Sequence, residues 1–150
     1  MDDTIKDKFG PCGISCEKCF AYTNGTIRKS SISLKNALGN FEIYARRFPE
    51  LLGEPVFNKY PDFRELLNYF SSVECKGCRK EQCKIFSDCK VRDCHKAKGV
   101  DFCFQCPEFP CMNTGFDKHL YKRSVQINMR MKEIGIEEYY NEVKDEPRYK

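Results

Sequence analysis

The chain has 150 residues and a formal charge of +4, from 26 basic and 22 acidic side chains. This length predicts one domain over residues 1–150. No stretch approaches the roughly 18 apolar residues of a membrane-spanning helix, so we do not expect a transmembrane protein. The first residues are acidic and polar, whereas a secretory signal is basic and then apolar. We therefore expect a cytoplasmic protein.

The cysteine-free parts of the chain predict helices. Between residues 33 and 48, apolar side chains recur every three or four positions, and Pro49 is expected to end that helix. A second helix is predicted over residues 61–72, with Pro61 in its first turn. The third, over residues 117–134, has Thr114 or Asp117 as a candidate cap and Gly135 at its end.

Shorter helices are expected in two further places. Ser87 or Asp88 suits the start of a helix that runs through Lys98 and ends at Gly99. Residues 137–144 also favour a helix. The predicted fold class is thus mainly α: a small helical domain with cysteine-rich metal-binding loops and little regular strand.

Eleven cysteines form two blocks. In a reducing cytosol, thiols stay unpaired unless something other than oxidation occupies them, and an odd number cannot pair completely. Inert burial explains one or two scattered cysteines but not a cluster. The sequence therefore predicts that these side chains hold metal. The first block contains Cys12, Cys16 and Cys19; the second contains Cys75, Cys78, Cys83, Cys89, Cys94, Cys103, Cys106 and Cys111.

Three pairs of cysteines are separated by only two residues. This spacing allows a tight turn in which both sulfurs point inward and backbone N–H groups stabilise the thiolates that bind metal. Gly77 helps such a turn in the second pair. One pair alone is weak support for a metal site, whereas three pairs with five neighbouring cysteines are strong support. The pairs are Cys16/Cys19, Cys75/Cys78 and Cys103/Cys106.

The spacing suggests three cysteine triplets, each of which needs a fourth ligand for a tetrahedral zinc site. Cys89, Cys94 and His95 remain as candidates for those fourth positions, while His119 is expected to be an ordinary surface or capping residue. Two zinc ions with three spare thiols are nearly as good an interpretation as three ions. The triplets are Cys12/Cys16/Cys19, Cys75/Cys78/Cys83 and Cys103/Cys106/Cys111.

An iron–sulfur cluster is the alternative to zinc, because thiolates suit both. The spacing of Cys12, Cys16 and Cys19 resembles the cluster loop of radical SAM enzymes, but those enzymes need a large α/β barrel that this chain is too short to form. Cys106-Pro107 is similar to an iron–sulfur ligand, although the neighbouring spacings do not match the ferredoxin run. The sequence favours zinc.

Two runs resemble an uncharacterised cysteine-rich family, domain of unknown function 3795. Residues 12–22 read C-G-I-S-C-E-K-C-F-A-Y, where members typically have C-G-x-x-C-x-x-C-P-A-Y. The later run, ending in C-P-E-F-P-C at Cys111, resembles the family's second hallmark. Phe20 departs from the usual proline, and His95 stands where a small residue is common. The resemblance implies a bacterial or archaeal metal-binding protein and no particular activity.

The sequence does not decide whether the protein is an enzyme, and its partner is unidentified. A small metal-binding protein with a structural or protein-interaction role is the leading interpretation. An iron–sulfur or thiol redox sensor is the second and a zinc-scaffolded nucleic-acid binder the third. The third has little support, because metal-bound thiolates bring the charge close to neutral and the basic residues of the last long helix precede an acidic stretch. The basic residues of that helix are Lys118, Lys122, Arg123, Arg130 and Lys132. A second basic pair, Arg46 and Arg47, lies earlier in the chain.

Overall fold

The computed structural model describes residues 3–150, with side chains from Ile5 onward. It is mainly helical, as predicted, and two isolated bridges, Phe9 with Ser15 and Tyr22 with Cys75, are the strand pairing of the described part. No helix there has the length and apolar character of a membrane span. The helices are α1 Asp3–Asp7, α2 Thr26–Leu38, α3 Phe41–Ala45, α4 Phe48–Leu51, α5 Tyr60–Ser72, α6 Val91–Lys98, α7 Lys118–Ile134 and α8 Ile136–Val143, with 3-10 turns at Pro55–Lys59 and Cys103–Gln105.

The predicted single helix over residues 33–48 is wrong. The chain forms α2, α3 and α4 instead, and α2 ends where Gly39 adopts a φ of +49°. Pro49 lies in the first turn of α4 and does not end a helix. The apolar period persists across these breaks because Phe41 lies at the centre of an aromatic cluster, with its ring centroid 5.7 Å from Phe48 and 5.1 Å from Tyr60.

The other two long helices agree with the sequence. Helix α5 packs against α2 and carries Pro61 in its first turn. Helix α7 begins after Asp117, whose carboxylate accepts a hydrogen bond from the backbone N–H of Leu120 at 3.0 Å. It ends before Gly135, as expected, and α8 follows directly. Local capping signals thus placed these helices correctly.

Helix α6 is shorter at its start than predicted. Its N-cap is Lys90, and neither Ser87 nor Asp88 caps it. The backbone N–H of Lys90 instead bonds to the carbonyl oxygen of Thr114, 2.9 Å away. The end is as predicted, with Gly99 in the left-handed conformation. A contact between distant segments therefore determines where α6 begins.

Among the described residues, three small core clusters lie around the cysteine loops, and Ala45, Tyr60 and Leu67 are buried in α3 and α5. One contains Cys12 and Ile14, packed against Val91 of α6 and Leu120 of α7. Another contains Phe9, Phe102 and Met131, and the third contains Cys19, Ala21 and Cys75. The cysteine-rich segments thus lie where the helices meet.

Candidate metal centre

All eleven cysteines are free thiols. Four of them are buried, Cys12, Cys16, Cys19 and Cys75, and the other seven are half-buried. None of the eleven is fully exposed, and the two sequence blocks pack on each other. The backbone N–H of Thr23, just after the first block, bonds to the carbonyl oxygen of Cys75 at 2.9 Å. The chain therefore brings both blocks to one region.

Seven cysteines from the two blocks surround one small cavity, which we call the first cysteine cavity. Its volume is about 40 Å³. A water molecule occupies roughly 30 Å³ in the liquid. The space therefore has the size of an ion and not of an organic substrate. The lining cysteines are Cys12, Cys16, Cys19, Cys75, Cys78, Cys83 and Cys89.

One thiol of this cavity links two others. The Cys78 thiol is within hydrogen-bonding reach of both Cys16 and Cys83, which raises its own pKa. The same hydrogen bonds lower the pKa of Cys16 to about 7 and that of Cys83 to about 5, with a smaller contribution from the nearby Arg148 guanidinium. The surroundings therefore stabilise two thiolates, the form of cysteine that binds metal.

Backbone N–H groups point at the sulfurs, as the tight-turn spacing predicts. The N–H of Gly77 donates to Cys75 Sγ and that of Phe86 donates to Cys83 Sγ, both at 3.4 Å. Gly77 has a backbone φ of +99°, a value that residues with a side chain rarely adopt. This glycine lets the chain turn tightly between Cys75 and Cys78.

Four other cysteines surround a separate space of about 30 Å³, the second cysteine cavity. They are Cys94 from α6 and the predicted triplet Cys103, Cys106 and Cys111. Burial, followed by the neighbouring thiols, raises the pKa of Cys103 to about 12. Four thiols are the number that a tetrahedral zinc site uses.

His95 lines the same second cavity. Its Nδ1 lies 2.9 Å from the carbonyl oxygen of Val100, and a carbonyl only accepts, so Nδ1 carries the proton. Burial lowers the pKa of the ring, which favours the neutral form. Among the described residues, Nε2 is buried and lacks a hydrogen-bond partner. Metal-binding histidines typically donate the other ring N–H to such a carbonyl, so His95 has the tautomer that a ligand needs.

The structure gathers the candidate ligands in two groups rather than three. The first two predicted triplets share the first cysteine cavity, and the third triplet joins Cys94 and His95 at the second. Cys12 and Cys89 pack in one core cluster with Cys103 and thus lie between the groups. His119 is exposed, as expected.

The donor set fits a thiophilic metal, but the sulfurs are not converged on a point. Across residues 3–150, no group of three or more His, Cys, Asp or Glu side chains is arranged so that it could hold a metal ion. Free thiols, short turns and backbone N–H donors suit zinc or iron. Binding would require the sulfurs to move inward.

Several residues around the first cavity were not found from the sequence. Arg148 lines its wall from the far end of the chain, and Gly10 lies against two of its sulfurs. Asn128 and Ser124 of α7 hold the carbonyl oxygen of Cys12, at 2.7 and 2.9 Å. In the sequence, the only sign of this role was that Ser124 and Asn128 are polar residues on an otherwise apolar face of α7.

Comparison with known protein families gives a match over residues 8–115, which includes every cysteine. The matching family is described as protein of unknown function (DUF3795). No curated protein and no solved structure matches the chain. The match covers more than half of the chain and agrees with the resemblance of its two cysteine runs. The chain belongs to this family of proteins of unknown function.

Proposed function

We propose that this protein binds metal, most simply zinc, at two cysteine centres that stabilise its fold. One observation carries the proposal: all eleven cysteines, from blocks far apart in sequence, line two cavities of ionic size. Organic ligands usually need roughly 300–1,000 Å³. Neither cavity suits a substrate of that size, whereas both suit an ion surrounded by sulfur.

At the first centre, ligands would come from both cysteine blocks. Cys16, Cys78 and Cys83 are the leading candidates because the Cys78 thiol is within hydrogen-bonding reach of the other two. Cys19 and Cys75 pack together beside them and can complete the set. An ion there would join the start of the chain to its middle. The small clusters of apolar side chains in this region hold the two segments together only weakly.

At the second centre, Cys94, Cys103, Cys106 and Cys111 supply four thiols from one short segment. His95 could bind the metal in place of one of these thiols. Bound zinc supplies charge neutralisation and tetrahedral order, and a structural zinc contributes on the order of 10 kcal/mol to folding. The protein residues hold the thiolates in tight turns and exclude water.

The first experiment is elemental analysis with an absorption spectrum on protein purified without oxygen. We expect a colourless protein with two zinc ions per chain. A brown protein with iron and sulfide would replace zinc by an iron–sulfur cluster while keeping the cysteine centres. Protein isolated without either metal would contradict the proposal.

A thiol redox sensor is the second candidate, and the contact of Cys78 with Cys16 and Cys83 favours it. Two neighbouring thiols and hydrogen peroxide give one disulfide and two waters. The same anaerobic preparation separates the candidates: a sensor is isolated metal-free and gains a Cys78 disulfide on peroxide treatment, whereas thiols bound to zinc resist it.

The nucleic-acid alternative gains little from the structure. Arg130 forms ion pairs with Glu133 and Glu142, and Arg46 pairs with Glu42. Two of the basic residues that suggested a nucleic-acid surface are therefore neutralised by neighbouring carboxylates. Their pairing is that of a solvated helix face.

A further inference from the structure

A groove on the other side of the first cysteine loop has a different chemistry from the metal cavities. It lies between that loop, helices α7 and α8 and the last residues of the chain, and its volume is about 400 Å³. Small-molecule sites occupy roughly 300–1,000 Å³. The groove is thus ten times larger than the first cysteine cavity and has room for an organic molecule.

The groove carries a strong positive charge. Five cationic side chains line it against one acidic side chain, Glu146, which pairs with Lys150. Lys18 donates to the carbonyl oxygens of Val143 and Glu146, which are neutral partners. The cationic residues are Lys18, Lys122, Arg123, Arg148 and Lys150.

Both arginines of the groove also bond to neutral groups. Arg123 donates to the carbonyl oxygen of Arg148, and Arg148 donates to that of Ser15. These bonds fix both guanidinium groups; the partner of Arg123 leaves its charge uncancelled, whereas Arg148 also lies near the Cys16 and Cys83 thiols. Fixed guanidinium groups suit phosphate and carboxylate oxygens, to which they can donate two hydrogen bonds at once.

The rest of the groove is partly apolar and includes an unsatisfied hydroxyl. Ile127, Tyr139 and Val143 form its apolar wall. Ser15 lines it as well, and the Ser15 Oγ is buried without a hydrogen-bond partner among the described residues. An apolar wall beside fixed cations fits an organic molecule that carries acidic groups, rather than a bare ion.

We propose that this groove binds a small, multiply charged organic anion with phosphate or carboxylate groups. The site joins the family-matched part of the chain, through Ser15 and Lys18, to α7 and α8, which lie beyond residue 115. It does not depend on which metal the cysteines hold. Its ligand would lie against Lys122, which is exposed, and against the half-buried Arg123.

Binding is measured by titration calorimetry on the full chain as purified, with fructose 1,6-bisphosphate and with citrate as probes at physiological salt. Lys122→Gln removes a groove cation, and Gln126→Glu adds a negative charge to the same wall. Both side chains are exposed, so the variants should fold. We expect at least one probe to bind and each variant to weaken it about tenfold, the size of one charged hydrogen bond.

Lys132→Gln and Met129→Glu are the matched controls, because they make equivalent changes on α7 at exposed positions outside the groove. They should bind the probes as the parent does. The proposal is wrong if neither probe binds, or if groove and control variants are weakened equally. It is also wrong if a single-stranded oligonucleotide binds more tightly than both probes and responds equally to Lys122→Gln and Lys132→Gln.

Discussion

Gly10 is the residue that leaves room for two sulfurs of the first cysteine cavity. A Cβ atom at this position would lie 3.3 Å from Cys12 Sγ and 3.7 Å from Cys16 Sγ. The first distance is shorter than ordinary van der Waals contact, so one of the two groups would have to move. The glycine is needed here for space and not for an unusual φ.

Gly10→Ala should weaken metal binding at the first centre about tenfold, the effect expected when a neighbour of a ligand is disturbed. The added methyl group presses on the Cys12 sulfur and displaces the loop that carries Cys16. Competition with a zinc chelator on the purified variant measures the change. Both cysteines remain, so the loss would reflect position and not a missing ligand.

Gly39→Ala is the control, because a Cβ there meets no atom within 4 Å. Its φ of +49° with a ψ of −121° should cost alanine roughly 1–3 kcal/mol of stability and leave zinc affinity unchanged. Equal zinc affinity in the two alanine variants would contradict the role given to Gly10.

At the scale of elements, α7 joins the two cysteine blocks. The Asn128 side chain is fully buried; it donates to the carbonyl oxygen of Cys12 and accepts from the backbone N–H of Phe104 at 3.0 Å. Phe104 lies in the Cys103–Cys106 turn. One amide thus bonds to both blocks, while Ser124, one turn earlier, supports the first.

Asn128→Leu should destabilise the metal-loaded protein by about 2 kcal/mol, because the backbone N–H of Phe104 loses its partner and the carbonyl oxygen of Cys12 keeps only the Ser124 hydroxyl. Urea unfolding followed by circular dichroism measures this loss. Met129→Leu, an exposed neighbour on the same helix, should change stability little. If both variants unfold at the same urea concentration, Asn128 does not join the blocks.

Local signals in the sequence predicted α5 and α7 well, because Pro61, Asp117 and Gly135 act on the residues beside them. The split between α2 and α4 was missed, since an apolar period does not distinguish one helix from several around an aromatic cluster. The cysteines were identified as candidate metal ligands from their spacing alone. Their division between two cavities was not predictable, because it depends on contacts between residues some 60 positions apart, such as Cys16 with Cys78.

At the scale of the whole molecule, helices surround the cysteine segments from both sides. Helix α5 attaches to the first block through Phe20, whose ring centroid lies 5.7 Å from that of Phe70, and α2 packs on α5. Phe20 stands where the family usually has proline, and here its ring docks α5. Helices α7 and α8 cover the opposite side from beyond the family match. The cysteine segments themselves contribute much of the interior.

The count of metal ions by native mass spectrometry, on the parent and two single variants, tests the two-centre account most directly. We predict two ions in the parent, and one ion each in Cys78→Ser and Cys106→Ser, which remove one thiol from the first and second cavity respectively. The double variant should carry none. A parent without metal, or two single variants that retain the parent's full count, would contradict the account.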